Sequence, residues 1–420
     1  MGLISWLTGT GRRSAADGPD IASPEHKADP YPFYARLRAE EPVRRVTLRG
    51  GAPAWLVTRY DDVVTVLKDD RFAKDRLNAL TPEEARKQPW VPAMFRPLTR
   101  NMLDLDPPDH TRLRVLVQTA FTPRLVEAMR PRVEALAEGL LDGLRGRTGF
   151  DLIRDYALPI PATVIAEMLG VPAGDRHKFH RWSKAMVSAD PFGWRRFLVV
   201  PHVWAFLRYI RRLIRAKRAV PGDDLLTALV RAEEAGNRMS EDELVAMTFL
   251  LLVAGHETTV NLIGNGVLAL LEHPDQLARL RADLSLVRPA VEELLRYGSP
   301  LETATERFAR EDVTIAGVTI PRGALVYAAL ASANRDGRQF PDPDRLDITR
   351  EPNRHLSFGL GPHFCLGAPL ARLEGQVAIA ALLRRAAEFR AAVPPGALRW
   401  RRGLVLRGVE SLPVTVTQWG

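Results

Sequence analysis

The chain carries a single cysteine, Cys365, within FGLGPHFCLG (358–367). A thiol with no second cysteine closes no disulfide inside the chain, and the count excludes a multi-cysteine zinc or iron–sulfur site built from this chain alone. Gly359, Gly361 and Gly367 frame the sulfur with backbone that can bend around it and approach something flat and bulky. A helical pattern opens just after it, which places the sulfur near free N–H groups and the positive end of a helix dipole, both favouring thiolate. Three uses fit such a sulfur. It is a small buried hydrophobe. It is a thiolate nucleophile with His363 as its base, although no third residue stands ready to orient that histidine. Or it is a metal ligand, since a heme iron takes one protein axial ligand.

Two further groups carry polar chemistry where apolar residues would be expected. AGHETT (254–259) puts a glycine, an acid and two alcohols into an otherwise apolar helical run. Gly255 costs about 1 kcal/mol in a helix interior. The stretch reads either as a kink with a satisfied polar cluster, or as a groove where the helix opens and Glu257 and Thr258 hold water or relay protons. His256, between them, reads as a structural histidine. EELLRY places Glu293 and Arg296 three apart on one helix face. Alone that is an ordinary ion pair worth a few tenths of a kcal/mol.

These groups must be positioned by the elements around them. DPYPFYARLRAEEPV (29–43) opens an ordered region with a short helix, and the following stretch reads as a hairpin turning at Gly50-Gly51, then a helix. Beyond about residue 110 amphipathic helices dominate. The strongest begins at SEDELVAM, where Ser240 and Glu243 make a capping box and Glu241 and Asp242 add charge the dipole favours. Apolar residues continue to Glu272, and His273-Pro274 ends the run. Roughly 32 residues make about 48 Å of helix, apolar on nearly all faces and hence central and buried. Residues 311–330 read as a small sheet, and 340–363 as a long Pro- and Asp-rich meander of the kind that serves function. A helix is expected from Ala368 to about Arg390, with closing strands after it. The expected fold class is mainly α with a minor β region: residues 1–20 a flexible tail, 21–420 one domain.

Composition narrows the partners. The net charge is +9, but only seven of the 59 basic residues are lysine and the arginines are spread along the chain. That points away from nucleic acid and towards an acidic protein partner. No apolar stretch reads as a membrane-spanning segment, and the N-terminus is too short in apolar residues for a signal peptide. A cytoplasmic location is expected.

In order and spacing these features resemble the cytochrome P-450 family of heme-thiolate monooxygenases, the soluble bacterial type in particular, from about residue 28 to the C-terminus. FGLGPHFCLG matches the family's heme-binding loop, AGHETT its oxygen-activating helix segment, and ELLR its Glu-x-x-Arg. The resemblance implies a long central helix over heme b, the cysteine loop on the proximal side, and Cys365 as axial iron ligand. It implies Glu257 and Thr258 as the catalytic acid–alcohol pair delivering protons to dioxygen. Heme propionates would be held by His110 and Arg114 in DHTRLR, by Arg307 in TERFAR and by His363. Phe358, Gly359 and Gly367 would complete the cofactor loop, with Phe358 shielding the sulfur. FPDPDRLD resembles the segment whose arginine joins the Glu-x-x-Arg pair, which would make Glu293, Arg296 and Arg345 a buried triad.

The reaction implied is insertion of one oxygen atom of O2 into a hydrophobic small molecule, by hydroxylation or epoxidation of a macrolide, other polyketide, terpenoid, steroid or fatty acid. Electrons would come from NAD(P)H through an external ferredoxin and ferredoxin reductase, docking on arginines such as Arg372, with the protein a monomer. Substrate walls would include residues 77–100, 186–204, Thr303 and Ala304, and the turn at Val405 and Leu406. The basic stretch 207–218 reads as a solvated helix face, or as an attractor for a carboxylate or membrane surface. A peroxide-driven peroxygenase and a non-catalytic thiolate-heme sensor are the alternatives.

Overall fold

The computed structural model describes residues 19–48, 51–88, 96–176, 178, 182, 196–234 and 239–420. Residues 1–18 of the expected tail, Gly50 of the expected turn, and 89–95 and 186–195 of the expected substrate walls lie outside them. Glu241–Glu272 is one continuous helix. At its start Glu243 N–H donates to the Ser240 hydroxyl oxygen (3.2 Å) and Ser240 N–H to the Glu243 carboxylate (2.7 Å), so each residue satisfies an end group the other leaves open. Among the described residues it is the helix long and apolar enough to cross a membrane, yet 72% of its apolar window is buried inside the protein. Its neighbours are the helices Pro159–Met168, Arg196–Ala219, Val287–Gly298 and Ala368–Arg385.

The helix runs unbroken through AGHETT. A Cβ at Gly255 would lie 3.1 Å from Ile165 Cγ1, so the glycine lets the Pro159–Met168 helix pack close rather than interrupting the turn. Small size, not flexibility, is what that position uses.

A five-stranded sheet runs, edge to edge, through Val43–Thr47, Pro53–Val57, Leu325–Ala328, Arg307–Ala309 and Phe72–Ala73. Its first two strands are the expected hairpin, paired from Val43↔Val57 to Thr47↔Pro53. Its last pair, Phe72↔Ala309 and Ala73↔Phe308, ties an early segment to a late one. Residues 313–315 and 318–320 form a separate two-stranded hairpin. The helix after the cysteine stops at Arg385 rather than near Arg390, because Ala386–Ala391 leaves it to pair with Pro413–Trp419.

Candidate functional site

The cysteine loop is held by backbone. Cys365 N–H donates to the Phe358 carbonyl (2.9 Å) and Phe364 N–H to that of Gly361 (3.0 Å). Gly359 and Gly361 take φ of 68° and 76°, and a Cβ at Gly361 would sit 2.7 Å from the Leu67 carbonyl oxygen. Only glycine fits there. The helix Ala368–Arg385 starts next to the sulfur, and the N–H groups of Gly367 and Ala368 are directed to it. Burial nonetheless pushes the thiol above its ordinary range, outweighing those N–H groups, Arg114 and Arg372. The N–H groups and both arginines favour the thiolate as expected from the helix end, and a metal cation bonded to the sulfur would favour it further. Phe358 is buried, packing edge-on to Phe364 (6.3 Å between rings) with the Arg372 guanidinium 4.5 Å above it. Arg372 grips Glu292 through two bonds of 2.7 and 2.8 Å, and His355 meets the same carboxylate at 3.0 Å. Burial pushes Glu292 up, but His355 and Arg372 outweigh it and pull the carboxyl down to about 2. Arg372 is thus paired within the fold, with its side chain still 32% exposed.

Behind the loop, Arg296 and Glu293 are fully buried and joined by two bonds of 2.7 and 2.8 Å. The third member differs from the expected one. Arg350 reaches Glu293 at 3.2 Å, and Asn353 and the Asp347 N–H add bonds of 3.1 and 3.0 Å. Arg345 closes a turn on the Asp342 carbonyl, which leaves its side chain exposed while its own carbonyl accepts from Arg296 (3.0 Å). This network fixes the meander that delivers residues 353–364 to the loop, helped by the Ser357 hydroxyl on the Leu295 carbonyl (2.7 Å).

His110, Arg114, Arg307 and His363 converge from three separate segments. The rings of His110 and His363 are 4.1 Å apart. His110 is 3% exposed, and neither ring nitrogen has a hydrogen-bond partner. Burial, then Arg307, Lys74, His110 and Arg114, drive protonation of His363 far below the usual histidine range. Burial lowers Arg307 to about 10 and lowers Arg114 and His110 as well. The group sequence reasoning missed is Lys74, whose Nζ donates to the Thr305 hydroxyl and the Glu306 carbonyl, 2.9 Å each. Burial and then Arg307 push Lys74 down to about 7. No local motif marks it; one step beyond the Ala73↔Phe308 pair, the strand register sets Lys74 opposite Arg307. The nearby Asp106 is already occupied by the N–H groups of Lys74 and Asp75, by Asn78 and by Arg310. A largely buried cluster of Lys74, Arg114 and Arg307, with two neutral imidazoles that each offer one ring N–H, fits a group bearing two carboxylates, as heme does with its propionates.

On the central helix, Ala254 is exposed and Thr258 partly exposed although the turns on either side are buried. Four apart, they share one face. The Thr258 hydroxyl donates to the Ala254 carbonyl (3.3 Å). Glu257 is 7% exposed; Arg401 donates to its Oε2, and His256 Nε2 lies 3.5 Å from Oε1. Burial pushes Glu257 up, but His256 and Arg401 outweigh it and hold the carboxyl below its ordinary range. The expected wall residues lie together: the Thr303 hydroxyl donates to the Leu404 carbonyl (3.2 Å), Glu302 N–H to that of Val405 (2.7 Å), and Leu301 bridges Leu406. Thr303 and Ala304 are themselves buried. Beneath them Glu302 takes Lys27 at 2.6 Å, His26 at 3.0 Å and the Tyr34 hydroxyl at 2.5 Å, a buried cluster with no signature in the sequence.

A lone cysteine in a glycine-shaped loop, a buried cationic cluster beside it and a central helix with an acid–alcohol turn define a heme-thiolate protein. Residues 49–397 match the family model described as Cytochrome P-450, and the chain belongs to that family. It is 51% identical over 389 residues to cytochrome P-450 107B1 of Saccharopolyspora erythraea, covering 92% of this chain and 95% of that one. It is 49% identical over 393 residues to cytochrome P-450 monooxygenase PikC of Streptomyces venezuelae, covering 92% and 91%. Among solved structures, the Bacillus subtilis 168 bacillaene polyketide synthase cytochrome P-450 PksS superposes with a TM-score of 0.89 at 44% identity, covering 96% of this chain and 100% of that one. The protein is a heme-dependent monooxygenase of the bacterial cytochrome P-450 type.

Proposed function

We propose that the protein inserts one atom of O2 into a hydrophobic small molecule of polyketide or macrolide type, drawing electrons from NAD(P)H through an external ferredoxin and its reductase in the cytoplasm. Residues 21–420 act as one heme-binding unit and as a monomer. When bound, heme supplies reductive activation of dioxygen, to which a cysteine thiolate donates electron density. Cys365 binds the iron, its sulfur oriented by the N–H groups of Gly367 and Ala368 and screened by Phe358. His110, Arg114, Arg307 and His363, with Lys74 added, hold the propionates and exclude water from that end of the site. Glu257 and Thr258 hold and move the protons, the Thr258 hydroxyl turning from the Ala254 carbonyl to present its hydrogen. Thr303, Ala304, Val405 and Leu406 line the substrate side, where apolar walls orient a substrate with few polar handles. Terpenoids, steroids and fatty acids are the other substrate classes; the likeness to the bacillaene polyketide synthase cytochrome P-450 PksS supports the polyketide type.

The observation that carries this reading is the cationic cluster: His110 is buried with two unpartnered ring nitrogens beside His363, Arg114 and Arg307. The test is turnover of a polyketide panel by holoenzyme with ferredoxin, reductase and NAD(P)H, against peroxide alone. Product only in the reductive arm supports the reading. Product only with peroxide favours a peroxygenase, and none in either arm, despite substrate-type binding spectra, favours a sensor.

A further inference from the structure

Residues 402–407, which carry Val405 and Leu406, belong to no helix or strand. They are the tip of a loop closed at its base by the Trp400↔Val409 bridge and by Arg401 N–H on the Gly408 carbonyl (2.9 Å). Such a tip takes its position from whatever its polar groups bond to. Residues 20–28 supply much of that hold. Gly403 N–H donates to the Ala22 carbonyl (3.1 Å), and Arg402 pairs with Asp20 (2.9 Å). Arg407 donates to the carbonyls of Lys27 (2.9 Å) and Ala28 (3.3 Å), and the Leu404 side chain packs against the cluster that holds Ile21 and Tyr34. Lys27 reaches furthest in. Its side chain is fully buried, and Nζ donates both to Glu302 (2.6 Å) and to the Leu404 carbonyl (3.3 Å). That carbonyl also accepts from the Thr303 hydroxyl, while Glu302 N–H donates to the Val405 carbonyl. One ammonium therefore ties segment 302–304 to turn 404–406. Burial pushes Glu302 up, but Lys27 and His26 outweigh it and pull the carboxyl down to about 2, so the pair is held by charge as well as by hydrogen bonds.

We propose that Lys27 fixes the spacing between two walls of the substrate site, Thr303 with Ala304 and Val405 with Leu406, and thereby limits the size of molecule the site accepts. The inference rests on the wall assignment proposed above. Lys27 is a positioning residue: fully buried, it acts only through the Leu404 carbonyl and Glu302. An apolar side chain of the same length would fill its space without holding the turn. The turn could then move away from segment 302–304 and admit bulkier apolar ligands, while ligands too small to reach it would bind as before.

Optical titration of the holoenzyme with imidazole, phenylimidazole, miconazole and ketoconazole, azoles of increasing size, reads this without turnover. In Lys27→Met the Kd for ketoconazole relative to that for imidazole should fall about fivefold or more, with the imidazole Kd within about twofold of wild type. Tyr34→Phe removes a bond to the same Glu302 carboxylate and none to the turn, so it should leave that ratio as in wild type. A ratio unchanged or raised in Lys27→Met overturns the proposal. So does a Tyr34→Phe protein shifted as far as Lys27→Met, because the cluster would then act only through the stability of the fold. Lys27→Met with Glu302→Gln removes both charges, leaves neither one buried alone, and carries the same test if Lys27→Met does not fold. Val405→Ala checks the footing and should change the ketoconazole Kd about threefold or more. If Val405→Ala moves no azole, the wall assignment fails and the proposal falls with it; if Val405→Ala moves ketoconazole and Lys27→Met does not, the proposal alone fails.

Discussion

Gly361 offers a sharp test of how the cysteine loop is held. Its φ is 76°, and a Cβ there would lie 2.7 Å from the Leu67 carbonyl oxygen, with the Lys68 Cα at 3.4 Å. Both obstacles are backbone and cannot swing aside. For Gly361→Ala the left-handed conformation alone costs about 1–2 kcal/mol. Forcing a methyl against a carbonyl at that distance adds a similar amount through backbone shift, so the total is about 2–4 kcal/mol. Gly367 is the internal control: its φ is −80°, and its added Cβ would rest 3.9 Å from Cys365 Sγ, an ordinary contact. Gly367→Ala should change fold stability by less than about 0.5 kcal/mol. The assay is urea unfolding of each holoenzyme followed by circular dichroism, with the share of heme retained read alongside. A Gly361→Ala protein as stable as wild type, or a Gly367→Ala protein equally damaged, would refute the steric argument.

Three further outcomes follow from the same geometry. Glu293→Gln should destabilise the fold by about 3–5 kcal/mol, since it leaves a buried arginine short of its counter-charge; Arg350→Ala should cost about 1–3 kcal/mol and Arg345→Ala almost nothing, measured by the same unfolding. Lys74→Met and His110→Phe should each release heme to an apo-globin acceptor about 5- to 100-fold faster than wild type, without altering the secondary structure. Glu374 is fully buried, and burial, opposed only by the neighbouring Thr259 hydroxyl, raises it to about 8. The folded state therefore binds more protons than the unfolded, and stability falls as pH rises from about 4.5 towards 8, by about 5 kcal/mol at most. Glu374→Gln should flatten that fall; unfolding free energies at pH 5 and pH 8 that drop equally in both proteins would contradict it.

Local chemistry wrote much of this site into the sequence. The capping box at Ser240 and Glu243, the glycine-framed cysteine, the four-residue spacing of His110 and Arg114 and the three-residue spacing of Glu293 and Arg296 are contacts within one element, so their spacing shows them. What stayed illegible depends on distant segments. Lys74 meets Arg307 through a strand pairing, Arg401 meets Glu257 from 144 residues further along the chain, and Arg350 displaces Arg345 because a single turn decides which guanidinium points inward.

The central claim is that Cys365 binds a heme iron as its thiolate. The carbon monoxide difference spectrum of the reduced holoenzyme tests it most directly. Wild type should show the red-shifted Soret band of a thiolate-ligated heme, and Cys365→Ala should lose it. A wild-type band at the position of an imidazole-ligated heme, or an unchanged spectrum in Cys365→Ala, would contradict the account.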